Sequence, residues 1–219
     1  MFSLALMREL RAHLKNLQTT LQPILFYLLT TLLFPIALGA DNQSLAKSAP
    51  AALWIPLLLS TLLAGEQLFH EDYKSGRLGQ DRLHTELWVL VLAKVVAAWL
   101  RLVLPLLLLL PLLGVMLHIA FEKQSALAAL LVISSLNLLT ISALGAGLTL
   151  SQTNSTFLRY LIITPLYLPT LILGISASAD TLLGLPIHGY YALLGSLTLF
   201  GLLSVLPFTQ LAIKHQSLP

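Results

Sequence analysis

Cysteine is missing altogether from this chain, which excludes disulfides, thiolate metal sites, a cysteine nucleophile and thioether attachment of a cofactor. Charge is scarce: Asp, Glu, Lys and Arg make up 10% of its residues, against about 25% in an ordinary soluble domain. No glycine loop followed by Lys and Ser or Thr is present to cradle a nucleotide phosphate, so ATP hydrolysis by this chain is excluded. Paired helical histidines, a nucleophile elbow and a dyad of intramembrane carboxylates are absent as well, and with them the residues an enzyme reading requires. Nor is there a basic run interleaved with aromatics of the kind that binds nucleic acid.

What the chain has in excess is apolar side chains, 57% of the total. A fold dissolved in water needs charge over its whole surface, whereas one dissolved in lipid needs charge only where it meets the two aqueous faces. Crossing about 30 Å of hydrocarbon takes roughly 20 mostly apolar residues as a helix. Six such runs lie at about 21–40, 49–69, 87–117, 125–150, 157–176 and 190–213. They lack the alternating polarity of barrel strands. The expected fold is therefore an all-α integral membrane protein of six transmembrane helices in a single domain. The stretch from Leu21 to Ala40 is also too long for the apolar core of a signal peptide, which fits an uncleaved span.

Cationic side chains favour the cytoplasmic side of short loops. A cytoplasmic N-terminus puts Arg8, Arg11, Lys15, Lys74, Arg77, Arg82, Lys94, Arg101, Arg159 and Lys214 inside and leaves Lys47 and Lys123 outside. Both ends are accordingly expected in the cytoplasm. Residues 1–18 place leucines 4, 6, 10, 14 and 17 near one stripe, with Arg8, Arg11 and Lys15 largely opposite. That pattern predicts an amphipathic helix along the headgroups of the cytoplasmic leaflet.

Other features carry two readings each. The stretch 66–84 mixes Glu66, Glu71, Asp72 and Asp81 with Lys74, Arg77 and Arg82, and is bounded by the possible hinges Gly76 and Gly79. It is either a solvated linker or a short docking helix within a cytoplasmic loop at 70–86. Lys94 and Arg101 stand seven residues apart on one face of the third run, so they either snorkel to the interface or line a pathway or protein interior. His118 and His188 occupy outer loops, where each is an exposed polar residue or a ligand for haem or metal. The small-residue run Ser142 to Gly147 permits close helix approach, inside the chain or between two copies of it.

Several segments taken in order resemble the haem exporter protein B family, the membrane permease subunit of the ATP-binding-cassette system for cytochrome c maturation. They are Leu33-Phe34-Pro35-Ile36-Ala37-Leu38-Gly39, Ala49-Pro50-Ala51-Ala52-Leu53-Trp54, Leu58 to Ala64, Glu66 to Asp72 and Ser75-Gly76-Arg77-Leu78. Weaker support comes from Leu92 to Val95, Leu183 to Pro186 and Gly189-Tyr190. The resemblance implies an ABC-2-type exporter-like fold in which Glu66, Phe69, Asp72, Gly76 and Leu78 couple to an ATPase subunit. It implies further partners: a haem-handling membrane subunit, a small membrane subunit, a periplasmic haem chaperone and a possible second copy. ATP would be bound on the partner, and haem would be cargo of the complex in a bacterial inner membrane. The tryptophan-rich haem-handling motif of the neighbouring subunit is not found here. Two alternatives stand beside this reading: a general export permease for a lipid, glycan or drug, and a haem-binding redox protein using His118 and His188.

Overall fold

A computed structural model describes residues 2–14, 17–39, 41–74, 87–149 and 155–216. Its helices are α1 (Phe2–Leu14), α2 (Leu17–Leu38), α3 (Asn42–Lys74), α4 (Leu87–Met116), α5 (Phe121–Leu148), α6 (Ser155–Leu183) and α7 (His188–Gln216). Among the described residues there is no strand. The six helices from α2 to α7 each contain a segment long and apolar enough to cross a membrane. The chain is an all-α, multi-pass membrane protein.

The helices run past several of the expected ends, and local chemistry explains why. α3 starts at Asn42 because Asp41 caps it, accepting from the backbone amides of Gln43 and Ser44, both at 3.3 Å, and from the Ser44 hydroxyl. That hydroxyl, followed by the Gln43 amide, holds the Asp41 carboxyl below its ordinary value. At its far end α3 continues to Lys74, so residues 70–74, expected to open a loop, are helical instead. α6 extends to Leu183 rather than stopping near 176, since its last polar residues find partners. Ser178 accepts from the Trp54 indole at 2.8 Å, the Thr181 hydroxyl donates to the Ala177 carbonyl, and Asp180 accepts from the Tyr190 hydroxyl.

α5 is the axis of the bundle and packs against α3, α4, α6 and α7. Lipid offers no hydrophobic drive between helices, so close backbone approach and polar contacts must hold them together. Both are present. Asn137 donates to the Thr170 hydroxyl at 2.7 Å, Ser142 to the Thr61 carbonyl at 3.3 Å, and Trp99 to the Ser135 hydroxyl at 3.1 Å. Gly145 faces α6, where an added Cβ would stand 2.6 Å from Ile163 and 2.9 Å from Arg159. That face of the small-residue run is thus used inside the chain.

α1 packs along α4. Leu4 is exposed, Leu6 and Leu10 are half-buried, and the acid Glu9 is turned inward. Glu9 faces inward because the buried Lys94 ammonium of α4 lies 3.0 Å from its carboxylate.

Candidate coupling site

Glu66, Phe69 and Asp72 recur every third residue at the exit of α3. At about 100° per residue they fan over roughly 120° of the helix surface, with Phe69 in the middle. The two carboxylates therefore point toward different neighbours, and each meets a cation.

On one flank, the Lys94 ammonium of α4 donates to Asp72 and, at 3.0 Å, to Glu9 of α1. Its side chain is only 3% exposed, and Arg8 lies 3.6 Å from Glu9. On the other flank, Glu66 accepts from the Tyr160 hydroxyl at 2.8 Å and lies 3.7 Å from the Arg159 guanidinium, both on α6. Arg159 is buried, and its Nε and Nη1 make no hydrogen bond. Gln67 adds a third tie by donating to Gln22 of α2 at 3.2 Å. The last turns of α3 are thus joined to α1, α2, α4 and α6 through polar side chains.

Phe69 is 1% exposed and belongs to the main apolar cluster. It therefore packs the α3 exit into the interior of the bundle. Asp72, which the resemblance implies for coupling, is turned to Lys94 within the chain. Gly76 and Leu78 lie outside the described residues, as does the expected short coupling helix.

Lys94 and Arg101, paired by their spacing, do not share surroundings. Lys94 is buried in its ion cluster, whereas Arg101 is half-buried and donates from Nε to the Ala97 carbonyl at 3.3 Å. His118 and His188 are both exposed. His118 takes a backbone φ of 53° just after α4, where its amide donates to the Val115 carbonyl and the Ile119 amide to that of Gly114. This is the left-handed closing residue of a helix C-terminus. Among the described residues, no group of three or more His, Cys, Asp and Glu is placed to hold a metal.

Sequence reading missed three members of the site: Glu9, Tyr160 and the binding role of Arg159, which had counted only toward orientation. The available signal was a solitary acid between Arg8 and Arg11 in an otherwise basic helix, and a lone arginine at the start of a span. A buried partner explains both better than solvent does.

A family model described as "CcmB protein" matches residues 1–216. A protein of Pseudomonas aeruginosa named heme exporter protein B is 38% identical over 208 residues, covering 94% of this chain and 93% of its own length. Its namesake in Haemophilus influenzae is 35% identical over 212 residues, 96% of each chain. The namesake in Escherichia coli strain K12 is 35% identical over 211 residues, again 96% of each.

Proposed function

The chain belongs to the CcmB family, and from that premise we propose that it is the membrane subunit of a haem-exporting ATP-binding-cassette complex serving cytochrome c biogenesis. Its part is mechanical. Without a nucleotide-binding motif of its own, it takes motion from an ATPase subunit and delivers it to the far side of the membrane. There the work is to load or release a periplasmic haem chaperone.

The observation that carries this reading is the tying of the α3 exit to four other helices by Glu66, Gln67 and Asp72. α3 feeds directly into residues 75–86, which hold Gly76 and Leu78. An ATPase gripping that segment from the cytosol would pull on α3. Asp72 would pass the displacement to α4 and α1 through Lys94, and Glu66 would pass it to α6 through Tyr160 and Arg159. Buried Phe69 suits a lever better than a flexible hinge, because it keeps the last turns of α3 rigid. Haem enters this account as substrate of the whole complex. It requires no haem ligand on this chain, and it leaves contact with haem to a neighbouring membrane subunit.

The orientation behind this reading puts the basic ends of the helices in the cytosol. Because the chain has no cysteine, Leu78→Cys supplies a single reporter thiol. It should react with an impermeant maleimide from the cytosolic side and become protected when the ATPase subunit is bound. Labelling from the periplasmic side alone would overturn the assignment. Deleting the chain should abolish holocytochrome c while leaving drug tolerance unchanged, and the opposite pattern would favour a general export permease.

A further inference from the structure

Close to its start, α6 is tied to α3 through Tyr160 and Arg159, which meet Glu66. Close to its end it is tied to α3 again, through Ser178, which accepts from Trp54. Between these ties stand Pro165 and Pro169, inside a helix that runs unbroken from Ser155 to Leu183. A proline has no amide proton for the carbonyl four residues back, so the carbonyls of Leu161 and Pro165 lose their helical donors, and each ring pushes off the carbonyl it faces. Both prolines are exposed, on the side of α6 turned to lipid, where no water replaces the missing bonds. The middle of α6 is therefore its weakest stretch and its natural bend point.

Tyr167 lies between the two prolines and points the other way. It is fully buried, and its hydroxyl faces those of Ser142 on α5 and Thr61 on α3 without closing a hydrogen bond to either. Both neighbours have already given their protons away, Ser142 to the Thr61 carbonyl at 3.3 Å and Thr61 to the Leu58 carbonyl at 2.8 Å. Each thus offers an oxygen that can accept, and Tyr167 holds a proton still uncommitted beside them. A buried hydroxyl without a partner destabilises the conformation that contains it, and phenylalanine would fill the same space without that cost. Stability of this conformation alone gives no reason for a tyrosine.

We propose that the Tyr167 hydroxyl is the catch of a hinge in α6: it is unengaged in the helix as seen here and bonds to Ser142 or Thr61 when the helix bends about Pro165 and Pro169. A bond made in one state only shifts the balance toward that state. The consequence for turnover rests on the coupling reading above, in which displacement of the α3 exit reaches α6 at Tyr160. The hinge itself rests on the prolines and the hydroxyl.

Tyr167→Phe separates the two states. In the full chain in detergent it should leave Tm unchanged or raise it, because no bond is lost. In the complete complex in native membranes it should leave the ATPase subunit bound and slow ATP-driven turnover by about threefold to tenfold, the worth of one hydrogen bond. A merely structural tyrosine predicts instead a lower Tm, with turnover following it down. Ser142→Ala with Thr61→Val should also slow turnover, and adding Tyr167→Phe to that pair should slow it no further. A fall in Tm or unchanged turnover in Tyr167→Phe overturns the proposal. The hinge is also read without turnover, from spin labels on Phe157→Cys and Leu183→Cys in this cysteine-free chain, both exposed positions near the two ends of α6. The distance between them should show a shorter minor population that Tyr167→Phe reduces and Pro165→Ala with Pro169→Ala abolishes. A single distance, the same in every variant, would sink the hinge. Should no ATPase copurify with the unaltered chain, it is the coupling reading that fails, and the spin-label distances still judge the hinge.

Discussion

Trp54 of α3 packs against Gly174 of α6, so close that a Cβ at position 174 would stand 2.1–2.4 Å from three carbons of the indole. One turn further along α6, Ser178 accepts the indole N–H at 2.8 Å. The tryptophan is completely buried, and in a membrane its N–H has no water to fall back on. Glycine and serine four residues apart thus make a seat for one large side chain, the first to cover its face and the second to satisfy its donor.

Gly174→Ala should therefore destabilise the protein. Overpacking a tight site typically costs about 1–3 kcal/mol, and the rigid indole cannot yield as a flexible side chain would. Trp54→Phe vacates the ring's outer edge and orphans the Ser178 hydroxyl, and should relieve the clash when combined with Gly174→Ala. Thermal unfolding of the two single variants and the double in detergent checks this; equal, additive losses would mean the two residues do not share a seat.

The number and placement of the spans were legible in the sequence because lipid imposes one length and one polarity on every crossing. Helix ends were less so. Residues 177–183 looked too polar to stay in a span, since nothing in the sequence announces that Ser178, Asp180 and Thr181 are each satisfied by Trp54, Tyr190 and the Ala177 carbonyl. Asp180 also explains part of the late family signature: Gly184 takes a φ of 77° to end α6, and Tyr190 reaches back to staple the turn. Glu66, Phe69 and Asp72 stood out in the sequence, but the direction in which they point did not. A charged cluster near a helix end reads as solvated, and the cations that turn Glu66 and Asp72 inward come from helices distant in sequence. Lys94 and Asp72 are 22 residues apart, Lys94 and Glu9 85.

The other flank of the site has its own order of costs. Tyr160→Phe removes a hydrogen bond to a charged acceptor but leaves Glu66 beside Arg159, an effect of about 1.5–3 kcal/mol. Glu66→Leu goes further, because Arg159 already has two nitrogens without hydrogen bonds and would lose its facing carboxylate while buried. It should be the worse of the two. Glu66→Leu with Arg159→Leu should regain much of the loss, as apolar replacement of a whole buried ion pair usually does. Unfolding midpoints of the three variants test the ranking. A double variant no better than Glu66→Leu would show that Arg159 is stabilised by something other than Glu66.

His118 offers the sharpest separation of a structural role from a ligand role. An L-residue in the left-handed region is strained by about 1–2 kcal/mol, a burden glycine does not carry. The hydrogen bonds that close α4 come from the backbone amides of His118 and Ile119 and survive any change of side chain. His118→Gly should therefore raise the unfolding temperature of the purified chain and leave cytochrome c maturation intact, whereas the β-branched His118→Val should lower the unfolding temperature. If the imidazole is instead a haem ligand, glycine would abolish any Soret absorbance carried by the purified chain and impair maturation despite the gain in stability. The two variants move stability in opposite directions but remove the same ring, so a defect common to both belongs to the ligand and a defect confined to valine belongs to the backbone.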